Sequence, residues 1–340
     1  MSGDDSPRSR QLGLFGPPAT DGGGPLGPAE VTDEIAGLAQ ELPKSLRLGT
    51  SSWSFPGWEG LLWDRAATKK QLARDGLAVY ARHPLLRAVG VDRTYYAPIS
   101  ADAFADYATA VPEDFRFLVK AASQCTTPNH RDARGRPDGP NELFLHPPYA
   151  ADEVVAPYVE GLGEKGGALL FQFPPLGAKI TNKPESFAER LHRFIDDLPR
   201  GPRYAVELRD GDLLVPLYFE ALDACGARHC FNIHPRMSSL EAQRAAAGDR
   251  AAGPVVARWM LHAGLGYEEA QRRYAPFSSL VDEDPPNRSA LAELVLDHAL
   301  AGHDVIVTAN NKAEGSAPLT LYRLAGAIVD LLRERGGKGA

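Results

Sequence analysis

Cysteine is scarce. The 340 residues hold three, Cys125, Cys225 and Cys230, and none forms a CxxC pair. That argues against a disulfide framework and against a thiolate zinc site. No apolar run approaches the ~20 residues of a membrane-spanning helix. The opening Met1–Arg10 is polar and lacks the apolar stretch of a secretory signal, so a cytoplasmic location is expected. Basic residues are not in excess either: 37 Lys and Arg face 44 Asp and Glu, a net charge of −7. This disfavours a protein that coats nucleic acid through overall charge. The sequence also has no HExxH, GxSxG or Walker A stretch, so no local motif announces a zinc protease, a serine hydrolase or a phosphate loop.

The chain does have material for a core, with 44% hydrophobic residues. It is unevenly spread. Residues 1–44 contain GPP and DGGGPLGP and carry seven acids against three bases. Such a segment buries too little to offset its ordering entropy and is read as a disordered tail, with a short helix possible at Val31–Glu41. From residue 45 to 335, short apolar runs alternate with helical patterns. The strand candidates are 46–53, 88–95, 115–122, 168–173, 203–209, 228–234, 255–262 and 304–310. Helical patterns fill the intervals, one opened by the N-cap candidate Ser100. Eight strand–helix units predict a (β/α)8 TIM barrel; the alternative is a doubly wound open sheet. Two connections, 123–150 and 263–288, are long, and both follow a strand's C-terminal end, where loops cover active sites.

Alternation along a strand fixes which side chains point into a barrel. With Tyr204, Val206 and Leu208 outward, Ala205, Glu207 and Arg209 point in. The same parity turns Gln172, Lys120, Asp92 and Asn310 inward, and less sharply Asn232, His234, Arg258 and His262. These polar residues gather near the C-terminal strand ends, where barrel enzymes place their chemistry. A charge inside a barrel must be paired. Lys120 and Glu207 are the expected pair, with Gln172 between them. Either this is a structural polar layer, or Glu207, Lys120 and Asp92 form a catalytic group with Glu207 as acid or base. Trp53, Phe55, Trp58, Tyr95 and Tyr96 follow the first two strands and could form a platform for a sugar or base ring. The expected substrate contacts are Trp53, Tyr95, Tyr96, Gln172, Arg209, Asn232, His262, Asn310 and Asn311.

Nine histidines raise the question of a metal, with His130, His146, His234 and His262 as the mouth candidates beside Asp92 and Glu207. The predicted inner shell is rich in Lys, Arg, Asn and Gln, which are poor ligands, so no metal residues are assigned and the cofactor stays unknown. Cys230 reads as a small apolar filler of the barrel.

In the tail, Gln11-Leu12-Gly13-Leu14-Phe15 resembles the peptide with which bacterial repair and replication proteins bind the sliding clamp. Leu14 and Phe15 could fill an apolar pocket, Leu12 could add a contact and the Gln11 amide could bond at its rim. Alternatively the match is a chance apolar patch.

The barrel segment, from Leu46 to about Ile328, resembles the YecE-like family of TIM barrels, a domain of unknown function. The resemblance rests on Arg47-Leu-Gly-Thr-Ser-Ser-Trp-Ser-Phe with Trp58, on Val91-Asp92-Arg93-Thr94-Tyr95-Tyr96 and on Phe115-Arg116-Phe117-Leu118-Val119-Lys120-Ala121. It continues in Leu170-Phe171-Gln172-Phe173-Pro174-Pro175, in Glu207 with Arg209, and in Asn310-Asn311 with Ala317-Pro318. The chain departs from the family pattern at Gly90 (usually Glu), Asp92 (usually Asn), and Asp210 and Leu213 (usually His and Trp), all near the expected mouth. Asp92 could supply the carboxylate missing at Gly90. The family has a likeness of fold to metal-dependent endonuclease barrels, an analogy that does not fix function. Two functions are therefore expected to compete: an enzyme acting at the barrel mouth on a polar, ring-containing or nucleotide- or DNA-related substrate, with a metal-dependent hydrolase as one form of it, and a DNA-repair-associated binding module recruited to the clamp through its tail.

Overall fold

Eight parallel strands close on themselves, each beside its chain neighbours and β1 beside β8. They are β1 (Leu46–Thr50), β2 (Leu86–Val91), β3 (Arg116–Lys120), β4 (Gly166–Gln172), β5 (Tyr204–Glu207), β6 (Arg228–Ile233), β7 (Val255–Trp259) and β8 (Val305–Ala309). This computed structural model describes residues 24–132 and 136–337. The closed barrel, not the open sheet, is the architecture.

Two apolar layers follow from strand parity. Ala88, Leu118, Ala168, Leu170, Ala205, Cys230, Val256 and Ile306 fill the interior as a separate cluster. Outward residues such as Leu48, Val89, Phe117, Phe171, Val206 and Val307 pack under the helices in the larger core. The helices between strands are α2 (Lys69–Tyr80), α3 (Ala101–Thr109), α4 (Ala156–Leu162), α5 (Pro184–Asp196), α6 (Pro216–Ala224), α7 (Leu240–Ala247), α9 (Pro285–Leu300) and α10 (Ala317–Gly337). Thr68, Ser100 and Ser239 start three of them, each side chain accepting a hydrogen bond from a first-turn amide. Where no such side chain caps the start, Pro184 and Pro216 open helices instead.

The segment 24–44, expected as part of a disordered tail, lies against the barrel. Residues 27–29 bond to 62–64, with Ala29 donating to the Leu62 carbonyl and Asp64 to that of Gly27. Helix α1 (Asp33–Glu41) is capped by Thr32, and Glu41 pairs with Arg333 of α10 at 2.7 Å. Ala29 and Leu42 are buried. Composition concealed this docking because two apolar anchors suffice when a ready-made surface receives them. The clamp-like motif, Gln11, Leu12, Leu14 and Phe15, lies outside the described residues.

Both long connections carry structure. The first holds a short helix, Ser123–Thr126, and a small hairpin, Asn129–Arg131 with Pro137–Pro140. The second contains α8 (Tyr267–Tyr274) and returns through Glu314. That fully buried carboxylate accepts from the Asp284 amide and from Arg288, both at 2.7 Å. Among the described residues no helix is long and apolar enough to cross a membrane.

Candidate functional site

At the C-terminal end of the barrel the inward parity brings five charged side chains together. Glu207, the last residue of β5, is wholly buried. Arg258 on β7 reaches across to it, its guanidinium 2.6 Å from the carboxylate, and its other arm donates to both oxygens of Asp92 at 3.2 and 3.3 Å. Arg209 forms a second ion pair with Glu207 and donates to the Asn232 side chain at 3.0 Å. Burial would push the Glu207 carboxyl up, but the two arginines override it and hold it down at about 2. Arg258 is buried as well, and Glu207 and Asp92 hold its proton more firmly than usual. Glu207 is thus a fixed negative charge at any physiological pH, an arrangement suited to anchoring cations and unsuited to proton transfer.

Lys120 ends β3 and stands apart from this network. Its ammonium lies 3.7 Å from the centre of the Tyr95 ring. Among the described residues it makes no ion pair: the expected Lys120–Glu207 bridge is replaced by Arg258, whose longer side chain reaches the carboxylate from across the barrel. Burial lowers Lys120 to about 8, a shift that Asp92 and Glu207 offset only in part. The ring beneath it is set by local structure. Tyr95 closes the turn Arg93–Tyr95, and the buried Thr94 hydroxyl sits 2.8 Å from the Val91 carbonyl and 2.6 Å from that of Lys120, tying the turn to β3. With two carboxylates against Lys120, Arg209 and Arg258, the cluster has one positive charge over.

Behind the site runs a buried polar chain. Gln243 of α7 accepts from the Asn232 amide at 3.1 Å and donates to its carbonyl at 2.8 Å. The same Gln243 oxygen lies 3.3 Å from His229, whose other nitrogen is 2.9 Å from the Tyr218 hydroxyl. Burial holds His229 down near 4, so it is neutral. This chain fixes Asn232, and through it the Arg209 fork.

The model for the protein of unknown function DUF72 matches residues 47–335, nearly the whole barrel. The chain belongs to the DUF72 family. This is the family named above as YecE-like. Solved structures agree on the fold. A DUF72 family protein of Thermotoga maritima MSB8 superposes with a TM-score of 0.58 at 19% identity, covering 85% of this chain and 99% of that one. A DUF72 family protein of Enterococcus faecalis V583 gives 0.56 at 20% identity, over 83% and 95%. No curated protein matches the chain.

Against the DUF72 motifs, the departures have structural readings. A side chain at Gly90 would start 2.9 Å from the Ser51 carbonyl oxygen, so this backbone has no room for a glutamate there, and Asp92, just past the end of β2, is the carboxylate that reaches the cluster. Asp210 accepts from the Leu176 amide at 2.7 Å and pairs with Arg236 at 3.0 Å, clasping the loops after β4, β5 and β6 together.

The other expected residues divide. Gln172 is buried and in register with Glu207. Tyr96 is 81% exposed beside Tyr95. The half-buried Asn310 accepts from the Lys312 amide at 3.0 Å. His262 is half-buried and sits 2.7 Å from the Ala263 carbonyl, away from the charged group's bonds. Asn311 is occupied structurally: its side-chain oxygen accepts from the Trp58 indole at 3.1 Å and from the Ala317 amide at 2.8 Å. The expected five-ring platform does not assemble. Trp53 is buried against Tyr107 of α3 and Gly76 of α2, and Trp58 stacks on Trp63. Beyond a strand end, parity no longer governs direction, and these indoles turn to the core.

Parity gave Arg258 an inward place but no role. Lys312 escaped notice altogether. It is 7% exposed, with its ammonium 4.1 Å from the Tyr267 ring and 5.6 Å from that of Phe277. Its burial depends on an insertion some forty residues upstream, which no local pattern reveals.

No group of three or more His, Cys, Asp or Glu that could hold a metal occurs among the described residues. The donor set itself is unsuitable, because Asp92 and Glu207 are both committed to Arg258 and two further cations flank them.

Proposed function

We propose that this DUF72 protein is an enzyme working at the C-terminal mouth of its barrel on a polar, ring-bearing substrate with an anionic group, of the nucleotide class. One observation carries the reading: Lys120 is half-buried over Tyr95, free of any ion pair among the described residues, and poised at about 8. An amine so placed can hold or release a proton near neutral pH, as an acid–base catalyst must. Glu207 and Arg258 supply fixed charge. Asp92, half-exposed, is the carboxylate nearest to solvent. Arg209 and the surplus positive charge favour an anionic substrate, Tyr95 and Tyr96 offer ring faces, and Gln172 and Asn310 provide amides for orientation, while the wholly buried Asn232 holds Arg209 in place. A hydrolase that depends on a metal is disfavoured by the donor set.

The test is calorimetric titration of a nucleoside monophosphate panel. At least one member is expected to bind, and Lys120→Gln is expected to weaken it about tenfold, the loss of one charge-assisted contact. Absence of binding across the panel, or binding indifferent to Lys120→Gln, would overturn the proposal.

Recruitment to a sliding clamp is a second reading, carried by Gln11-Leu12-Gly13-Leu14-Phe15. It is compatible with the first. Leu14→Ala with Phe15→Ala should abolish capture of the purified bacterial clamp, and undiminished capture would reject the motif.

A further inference from the structure

A second basic cavity lies at the opposite, N-terminal end of the barrel. It has a volume of about 440 Å³ and is lined by Arg47, Arg116, Arg200, Arg203, Asp304 and Tyr158 among others. Every one of the strand-borne members comes from the start of a strand: Arg47 from β1, Arg116 from β3, and Arg203 and Asp304 from the residues just before β5 and β8. With Glu164 also present, its wall holds four arginines and two carboxylates. Asp304 is shared, pairing with Arg47 and with Arg203, both at 3.1 Å. Arg116 has no carboxylate partner among the described residues. It donates to the Glu113 and Phe115 carbonyls at 2.7 and 2.9 Å, which leaves guanidinium donors over.

Three further observations separate this cavity from a mere closing layer. The Tyr158 side chain is 3% exposed, and its hydroxyl has no hydrogen-bond partner among the described residues. A buried hydroxyl without a partner is costly, and a ligand or ordered water that meets it recovers that cost. The floor is two glycines, and neither can be replaced without filling the space. A side chain at Gly166 would start 2.6 Å from the Tyr158 hydroxyl, and one at Gly167 would start 2.6 Å from Ile306 and 2.9 Å from Arg116. Burial and the neighbouring Arg47 lower the Arg116 guanidinium, although Asp304, Asp114 and Glu164 act against the shift.

We propose that this cavity is an anion site, distinct from the mouth, that takes a compact phosphate group. Asp196 pairs with Arg200, so the four arginines face three carboxylates and one positive charge is left over, at Arg116. Planar guanidinium forks suit phosphate oxygens bidentately, as lysines would not. The volume, within the few hundred Å³ of small-ligand pockets, admits either inorganic phosphate or the phosphoryl end of a small monoester.

The experiment is calorimetry on the full chain carrying Lys120→Gln, which weakens the mouth's contribution, with inorganic phosphate and separately glycerol 3-phosphate, at chloride-matched ionic strength. One saturable site is expected for phosphate or for the ester, and whichever binds tighter identifies the source. Adding Arg116→Gln should weaken that binding about tenfold or more, through the loss of a charge-assisted pair. Arg200→Gln, at an exposed position that spares the fold, should weaken it by a smaller factor. Absence of saturable binding by either probe overturns the proposal, and so does an affinity that both substitutions leave unchanged. Because Arg116 and Arg200 lie at the end of the barrel opposite the mouth, a loss on their substitution reports this cavity alone, failure here says nothing against the mouth reading, and success does not depend on it.

Discussion

Arg258→Met is expected to cost about 3–5 kcal/mol of unfolding free energy, the penalty usual for removing one member of a buried ion pair. Arg258 is 2% exposed and serves two carboxylates, Glu207 at 2.6 Å and Asp92 at 3.2 Å. Asp92 can turn to water; Glu207 cannot. Methionine would leave it buried with Arg209 as its remaining ion-pair partner. The cost is thus the under-compensated carboxylate and not the pair's net worth, and a second substitution shows the difference. Arg209→Met added to Arg258→Met takes the last ion-pair partner from Glu207, so the double variant should be less stable than Arg258→Met alone. Urea unfolding at neutral pH, compared at constant slope, measures both. A loss for Arg258→Met below about 1 kcal/mol, the value of an exposed pair, would mean that water reaches Glu207 and that the cluster is not a buried network.

The same residues show what the sequence could and could not reveal. Alternation of one apolar and one mixed face sufficed for Glu207, Gln172 and Lys120, because β3, β4 and β5 each carry a clean apolar stripe. On β7 the stripe is blurred: Val255, Ala257 and Trp259 face the helices while Val256 and Arg258 face in, and Val256 is as apolar as its neighbours. Arg258 could be placed there but not matched to Glu207, since two strands of a closed barrel meet across the interior only once its register is known. Loop residues fared worse. Trp53 and Trp58 sit past the end of β1, where the chain is free to turn, and the core took both rings.

Gly90 illustrates a different limit. As a bare departure from a family motif, it reads as a lost carboxylate. The structure relates it to backbone geometry, since Ser51 occupies the space that a side chain would need. Changes that look chemical in a motif can be steric in the fold, and Asp210 is another: it holds three loops in place through Leu176 and Arg236. Among the described residues neither position makes an ion pair with Glu207 or Arg258, so both changes leave the centre of the charged cluster intact.

Lys120→Met is expected to make the folded protein more stable at neutral pH, by roughly 3 kcal/mol at about 1.4 kcal/mol per pH unit of displacement. The sign follows from the direction of the shift. In the unfolded chain the amine keeps its ordinary 10.5, and in the fold burial lowers it to about 8. Below 8 both states hold the proton and the fold bears the whole cost of a half-buried ammonium. Between about 8 and 10.5 the unfolded chain binds the proton and the native state does not, so wild-type stability should rise with pH across that window and then level off. Lys120→Met lacks the group, and its stability should start higher and stay flat there. Unfolding curves at pH 7 and pH 10 for the two proteins give the comparison. Labelling by an activated ester gives an independent one: Lys120, where the reagent reaches it, should be modified with a midpoint near 8, well below exposed lysines. A wild type whose stability falls from pH 7 to pH 10 while Lys120→Met stays flat would show that the ammonium is stabilised, by a carboxylate or by water. The acid–base role proposed for Lys120 would then have no basis. The opposite result ties the role to its cost, a residue retained at the mouth although the fold would be more stable without it.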